Sequence, residues 1–195
     1  MARVFAFLVA AAAALIAGTI DASAQVDMRD IMGGGPNFRG GGFGGGGSSP
    51  IPRTTVSFAS NYSPGTVVIN TAERRLYLVL ANGQALRYGI GVGRDGFRWG
   101  GVHRISAKKE WPGWTPPSQM LRRRPDLPRH MAGGVDNPLG ARAMYLGSTL
   151  YRIHGSNEPE TIGQAVSSGC FRMTNDDVTD LYSRVSIGTT VVVKN

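Results

Sequence analysis

Only one cysteine, Cys170, occurs among the 195 residues, so no intramolecular disulfide can form. Such a thiol is either a small buried hydrophobe or a reactive group, and cysteine arithmetic alone leaves both readings open. Histidine is nearly as scarce, with His103, His130 and His154 the only imidazoles. Acidic residues are outnumbered 13 to 21 by Lys and Arg, a net charge of +8 that favours anionic partners or makes a solvated basic exterior. Long hydrophobic runs are missing except at the start. There Arg3 precedes an apolar stretch from Val4 to Ala17 that is too short to span a ~30 Å hydrocarbon layer comfortably and is ended by Thr19 and Asp21. Ala22-Ser23-Ala24 then offers the small residues a signal peptidase reads, so residues 1–24 are expected to be a signal peptide and Gln25 the first mature residue. The residue directly after the cleavage point is Gln25 and not cysteine, which argues against lipid attachment there. Export without stable membrane insertion also removes the chain from nucleic acid, leaving wall polymer or a phospholipid surface as the anionic partner.

What is present begins with glycine. Ten of the fifteen residues from Gly33 to Gly47 are glycine, with no apolar periodicity, and residues 25–53 are expected to form a flexible linker closed by Pro50 and Pro52. Residues 54–195 read as one mainly β domain. Thr66 to Asn70 is β-branched, and Arg75 to Leu80 alternates Leu76, Leu78 and Leu80 on one face before Asn82-Gly83, a hairpin signal that predicts a return strand over Leu86 to Val92. Gly91-Val92-Gly93 permits a bend or a close backbone approach, and Val102 to Lys108 predicts another strand. From about 110 to 140 six prolines and the basic run Arg122-Arg123-Arg124 predict a long loop or lid. Its Trp111 and Trp114 either meet substrate or pin the lid to the core; the three arginines either bind carboxylates or form a solvated basic loop. Strands follow over Arg142 to Leu146 and Leu150 to Ile153, the second delivering His154 at its end. Thr174 caps a predicted helix with Asp176 and Asp177 in its first turn, Gly188 ends it, and Thr189 to Val193 predicts the last strand. The acids thus have a structural role and suggest no metal site, and no cofactor is expected. The helix start, a few residues beyond Cys170, is expected to favour its thiolate.

The run His154-Gly155-Ser156, a spacer, then Ser167-Ser168-Gly169-Cys170-Phe171-Arg172-Met173 resembles the catalytic signature of the L,D-transpeptidase family of bacterial cell-wall enzymes. The stretches Trp111 to Pro117 and Asn137 to Gly147 agree with it, and the similarity covers roughly residues 65 to 193. The resemblance implies a mainly β fold, a sandwich or partly closed barrel with one or two helices and a lid over the site. It implies Cys170 as nucleophile, His154 as its base and the backbone carbonyl of Gly155 as the group that orients the imidazole. Arg172 would order the site or the substrate, and Ser167, Ser168, Trp111 and Trp114 are candidate substrate contacts. Many members carry histidine where this chain has Ser168, so His154 is the imidazole left in the motif to act on Cys170.

The implied chemistry is an attack by the Cys170 thiolate on the bond between an L-centred diamino acid and D-alanine in a peptidoglycan stem peptide. D-alanine leaves, and an amine takes the acyl group from the thioester. The backbone N–H groups of Cys170 and Gly169 are the expected oxyanion donors. Periplasmic location, acylation by carbapenems and a monomeric protein are further expectations. The acceptor is a second stem, an outer-membrane protein or a D-amino acid. Alternatives are an L,D-carboxypeptidase sharing the acyl-enzyme, a noncatalytic wall-binding module and a redox-sensing thiol, the last disfavoured because no second cysteine is present to resolve it.

Overall fold

The computed structural model describes residues 49–195, so the expected signal peptide and most of the expected glycine linker lie outside the described residues. The strands are β1 (Thr54–Ser57), β2 (Val67–Asn70), β3 (Arg75–Val79), β4 (Gln84–Gly89), β5 (Val92–Gly93), β6 (Gly101–Glu110), β7 (Arg142–Leu146), β8 (Arg152–His154), β9 (Ala165–Ser167), β10 (Phe171–Arg172) and β11 (Thr190–Lys194). The helices are α1 (Ser118–Arg123) and α2 (Asn175–Arg184), with a 3₁₀ turn at Pro159–Thr161. Alternation is visible where the sequence shows it: Leu76 and Leu78 of β3 point into the core while Arg75 and Tyr77 are only half-buried. At the β3–β4 hairpin Asn82 and Gly83 take φ of 59° and 66°, the left-handed pair that matches the twist of the two strands.

Nine strands form one sheet in the order β1-β4-β3-β2-β11-β6-β7-β8-β10, and β5 pairs with β9 beside it. The long strand β6 is the corner. Its first residues pair with β11, its later ones with β7, and the register shifts between Ile105 and Ala107. A bulge of this kind bends a strand and sharpens its twist, so the sheet turns over onto its own core. That core joins Val67, Ile69, Leu76 and Leu78 from one half to Met144, Ile153 and Phe171 from the other. The result is a mainly β sheet folded on itself but not closed, since β1 and β10 remain its two ends.

Helix α2 lays Val178, Leu181 and Val185 onto this core. Thr174 is its N-cap, the side-chain oxygen accepting the Asp177 N–H at 3.2 Å. The helix stops at Arg184, earlier than Gly188, because Val185 turns to extended backbone as it enters the core; Gly188, with φ of 92°, serves the turn into β11. Residues 50–53 also depart from expectation. Ile51 packs over Gly89 and Gly163, and Arg53 pairs with Asp177 and Asp180 at 3.4 and 3.3 Å, so contacts with the domain begin before Thr54.

The lid between β6 and β7 has a small core of its own, built from Trp114, Met120, Leu127 and Leu139. Trp114 and Met131 exchange two backbone hydrogen bonds of 2.8 Å. Within the lid α1 starts directly after Pro117, where a proline φ of −56° suits a helix entrance. Six residues between prolines are too few to show periodicity, and the sequence therefore reads only as loop there.

Candidate active site

Strand β8 carries His154 at its end, and β10 runs parallel to it with Arg172 opposite His154 and Phe171 opposite Ile153. The Met173 N–H bonds to the His154 carbonyl at 2.9 Å, and Arg172 and Gly91 exchange two further backbone bonds of 2.9 Å. Cys170 stands one residue before β10, on the short connection from β9. That connection is held tightly. The Ser167 hydroxyl donates to the Cys170 carbonyl at 2.6 Å and accepts the Gly169 N–H at 3.1 Å. The indole N–H of Trp99 donates to the Gly169 carbonyl at 2.7 Å. In a trans peptide the next N–H points opposite to that carbonyl, so Trp99 aims the Cys170 N–H away from itself.

The Gly169 N–H, expected to serve as an oxyanion donor beside that of Cys170, is taken by Ser167. Gly169 has another purpose. Its φ is 108°, and a Cβ there would lie 2.5 Å from the Tyr151 ring, which itself stacks on Trp99 at 4.3 Å between centroids. Gly169→Ala is expected to destabilise the protein by about 1–3 kcal/mol and to reduce acylation of Cys170, read together by thermal melting and intact mass. Unchanged melting and acylation would show that the loop accommodates a side chain.

His154 is 4% exposed, and its Nδ1 lies 2.6 Å from the Gly155 carbonyl. A carbonyl only accepts, so Nδ1 carries the proton and Nε2 is left as the basic atom. Burial, with Arg172 and Arg152 nearby, pushes the imidazole down to about 3, although the Gly155 carbonyl works the other way. Burial likewise pushes the Cys170 thiol up; the charge of Arg152 and its backbone N–H, then Arg172, pull it down. The resting pair is therefore a neutral thiol and a neutral imidazole. The cations that oppose the burial are Arg152 and Arg172.

A cavity of about 300 Å³ opens over these groups, lined by His154, Cys170, Ser167, Ser168, Arg152 and Arg172 on the sheet side and by Trp114, Met120, Arg123 and Leu139 from the lid. No Asp or Glu is among its lining residues. Arg172 is 5% exposed and pairs with Glu158 at 3.1 Å, a buried contact in which the Glu158 carboxyl is pushed up to about 7 by burial against the pull of Arg172. Its guanidinium thus braces the wall as well as facing the cavity. Ser167 is likewise occupied within the loop, whereas the buried Ser168 hydroxyl has no hydrogen-bond partner among the described residues.

The two tryptophans separate. Trp114 lines the cavity, but Trp111 is 43% exposed at the end of β6, its N–H bonded to Ala141, and takes no part in the lining. Of the arginine triplet only Arg123 reaches the cavity; Arg124 binds Asp126 with two hydrogen bonds, and Arg122 is exposed. Sequence reasoning passed over Arg152, Trp99, Tyr151 and Glu158. The available signal for Arg152 was its position two residues before His154, which puts both on one face of a strand. Among the described residues no three His, Cys, Asp or Glu gather as metal ligands would.

Comparison with known proteins bears on this geometry. Residues 64–193 match the family described as the L,D-transpeptidase catalytic domain, YkuD. The chain is 38% identical over 136 residues to the probable L,D-transpeptidase ErfK/SrfK of Escherichia coli strain K12, covering 65% of this chain and 43% of that protein. The chain thus spans less than half the length of that relative. A crystal structure of a probable carnitine operon oxidoreductase from Brucella melitensis is 48% identical, with a TM-score of 0.52, over 75% of this chain and 96% of that one. An L,D-transpeptidase from Mycobacterium smegmatis has the same fold at a TM-score of 0.54 and 16% identity, over 67% of this chain and 58% of that one.

Proposed function

The chain belongs to the L,D-transpeptidase catalytic domain family, and from that premise we propose that it is an exported peptidoglycan L,D-transpeptidase with Cys170 as nucleophile and His154 as base. The observation that carries this reading is the meeting of Cys170 and the Nδ1-protonated His154 in one cavity whose lining includes three arginines and no acid. Such a cavity favours an anionic acyl donor, and a stem peptide ending in D-alanine is one. Export to the periplasm rests on the leader pattern of residues 1–24. The oxidoreductase name belongs to the Brucella protein, and a cavity lined by both a thiol and a buried imidazole that holds its proton on Nδ1 supports acyl transfer instead.

The chemistry runs in two halves. His154 Nε2 takes the thiol proton as Cys170 Sγ bonds to the carbonyl carbon of the L-centre, and the Cys170 N–H receives the developing oxyanion. The C–N bond then breaks, His154 returns the proton to the leaving nitrogen of D-alanine, and a thioester remains. An acceptor amine attacks that thioester and gives its proton to His154. The C–S bond breaks, and the sulfur leaves as thiolate and is reprotonated. The apolar lid residues Trp114, Pro117, Met120 and Leu139 limit water at the thioester, which favours an amine acceptor over hydrolysis.

Purified protein incubated with disaccharide tetrapeptide is expected to release D-alanine, to show an acyl adduct on Cys170 by intact mass, and to form a cross-linked dimer. Tripeptide without dimer would make the protein an L,D-carboxypeptidase. Absence of both adduct and product would overturn the proposal and leave a wall-binding module.

A further inference from the structure

Among the charged groups facing Cys170, one is not accounted for by the scheme above. Arg172 is balanced by Glu158, 3.1 Å away, and Arg123 stands on the exposed lid. Arg152 is different. It lies on β8 one step before the Ile153–Phe171 pair, which sets it beside Cys170, and on the same strand face as His154. It lines the cavity with both of them. Its guanidinium sits over the Tyr145 ring at 5.3 Å, and its buried Nε has no hydrogen-bond partner among the described residues. No ion pair joins Arg152 to an acid among the described residues, and no acid lines the cavity. Half-burying an arginine without a counter-ion costs free energy unless a negative charge arrives.

We propose that Arg152 is the counter-charge of the Cys170 thiolate. When the thiol proton passes to His154 Nε2 the sulfur keeps the bonding electron pair, and the charge so created lies against Arg152. The same charge reappears when the thioester C–S bond breaks and sulfur departs with its pair. Arg152 thus offsets, ahead of the Glu158-paired Arg172, what burial of Cys170 takes from its acidity. This inference deepens the proposed function and rests on Cys170 being the nucleophile.

Because Cys170 is the sole cysteine, alkylation by iodoacetamide reports on it alone and needs no acyl donor. The rate rises with pH through the thiol pKa. Arg152→Gln is expected to move that midpoint up by about one unit and to slow alkylation at pH 7 about tenfold, as loss of a neighbouring cation does. Arg152→Met, which keeps an apolar stem beside Tyr145, is expected to do the same, and Arg152→Lys to restore most of the wild-type midpoint. Arg122→Gln, on the exposed lid surface, is expected to leave it unchanged. The proposal is overturned if either folded neutral variant titrates like wild type, or if Arg152→Lys shifts the midpoint as far as Arg152→Gln does. D-alanine release with unshifted Arg152 variants would refute the counter-charge alone. A shifted midpoint in a protein that never releases D-alanine would refute only the transpeptidase reading.

Discussion

Cys170→Ala is expected to abolish acyl-enzyme formation and to lower D-alanine release by at least ~10⁴-fold, the scale seen when a nucleophile is removed from a site that acts as a unit. The loss is expected to be chemical and not structural. The Ser167 hydroxyl holds the connection through the Cys170 carbonyl, which the alanine variant retains, so thermal stability is expected to change by no more than about 1 kcal/mol. Cys170→Ser is expected to be nearly as inactive. A hydroxyl is far less acidic than a thiol, so the same imidazole yields far less of the reactive anion from serine. Intact-mass detection of a carbapenem or stem-peptide adduct, set against a melting curve, separates the outcomes. Normal turnover in the alanine variant would remove Cys170 from the mechanism.

His154→Gln is expected to slow acylation by 10²–10⁴-fold, the range for loss of a general base, while leaving the anionic cavity preference in place. The same variant has a signature in stability. In the unfolded chain the imidazole takes up a proton near 6.5, but in the folded protein only near 3. Between these values the unfolded state binds more protons, so the wild type is expected to lose stability as pH falls from 6.5 towards 3, with none of this loss above 6.5. Glu158 works in the opposite direction. Raised to about 7, it gives stability that is present below 4.5 and lost as pH rises through 7. The difference between wild-type and His154→Gln urea melts, taken at each pH, isolates the histidine. A difference that stays flat from pH 6.5 to 3.5 would mean the imidazole is not kept neutral by its surroundings.

Long elements and the chemical motif were readable in the chain because both are local patterns. The alternation in β3, the Asn82-Gly83 turn and the Thr174 cap each depend on neighbours a few residues apart, and each appears at or near its expected place. Strands β5, β9 and β10 were not foreseen. Two or three residues carry no period, and they are strands only because distant backbone meets them, as Gly91 meets Arg172. The end of α2 was misplaced for a similar reason: burial of Val185, not the glycine three residues on, turns the chain.

The sequence by itself determined which atoms are available for chemistry: one thiol, an imidazole followed by glycine, and a mainly β scaffold with an interrupted lid. Tertiary structure decided how those atoms behave. Burial makes the thiol and the imidazole neutral at rest, Ser167 binds the Gly169 N–H, and Trp99, through the Gly169 carbonyl, aims that of Cys170. Strand pairing places Arg152 beside the sulfur, and the fold of the lid keeps Trp114 while discarding Trp111. Charge stabilisation and donor direction depend on through-space distance and on the water removed around each group, and neither quantity is written in the order of residues along the chain.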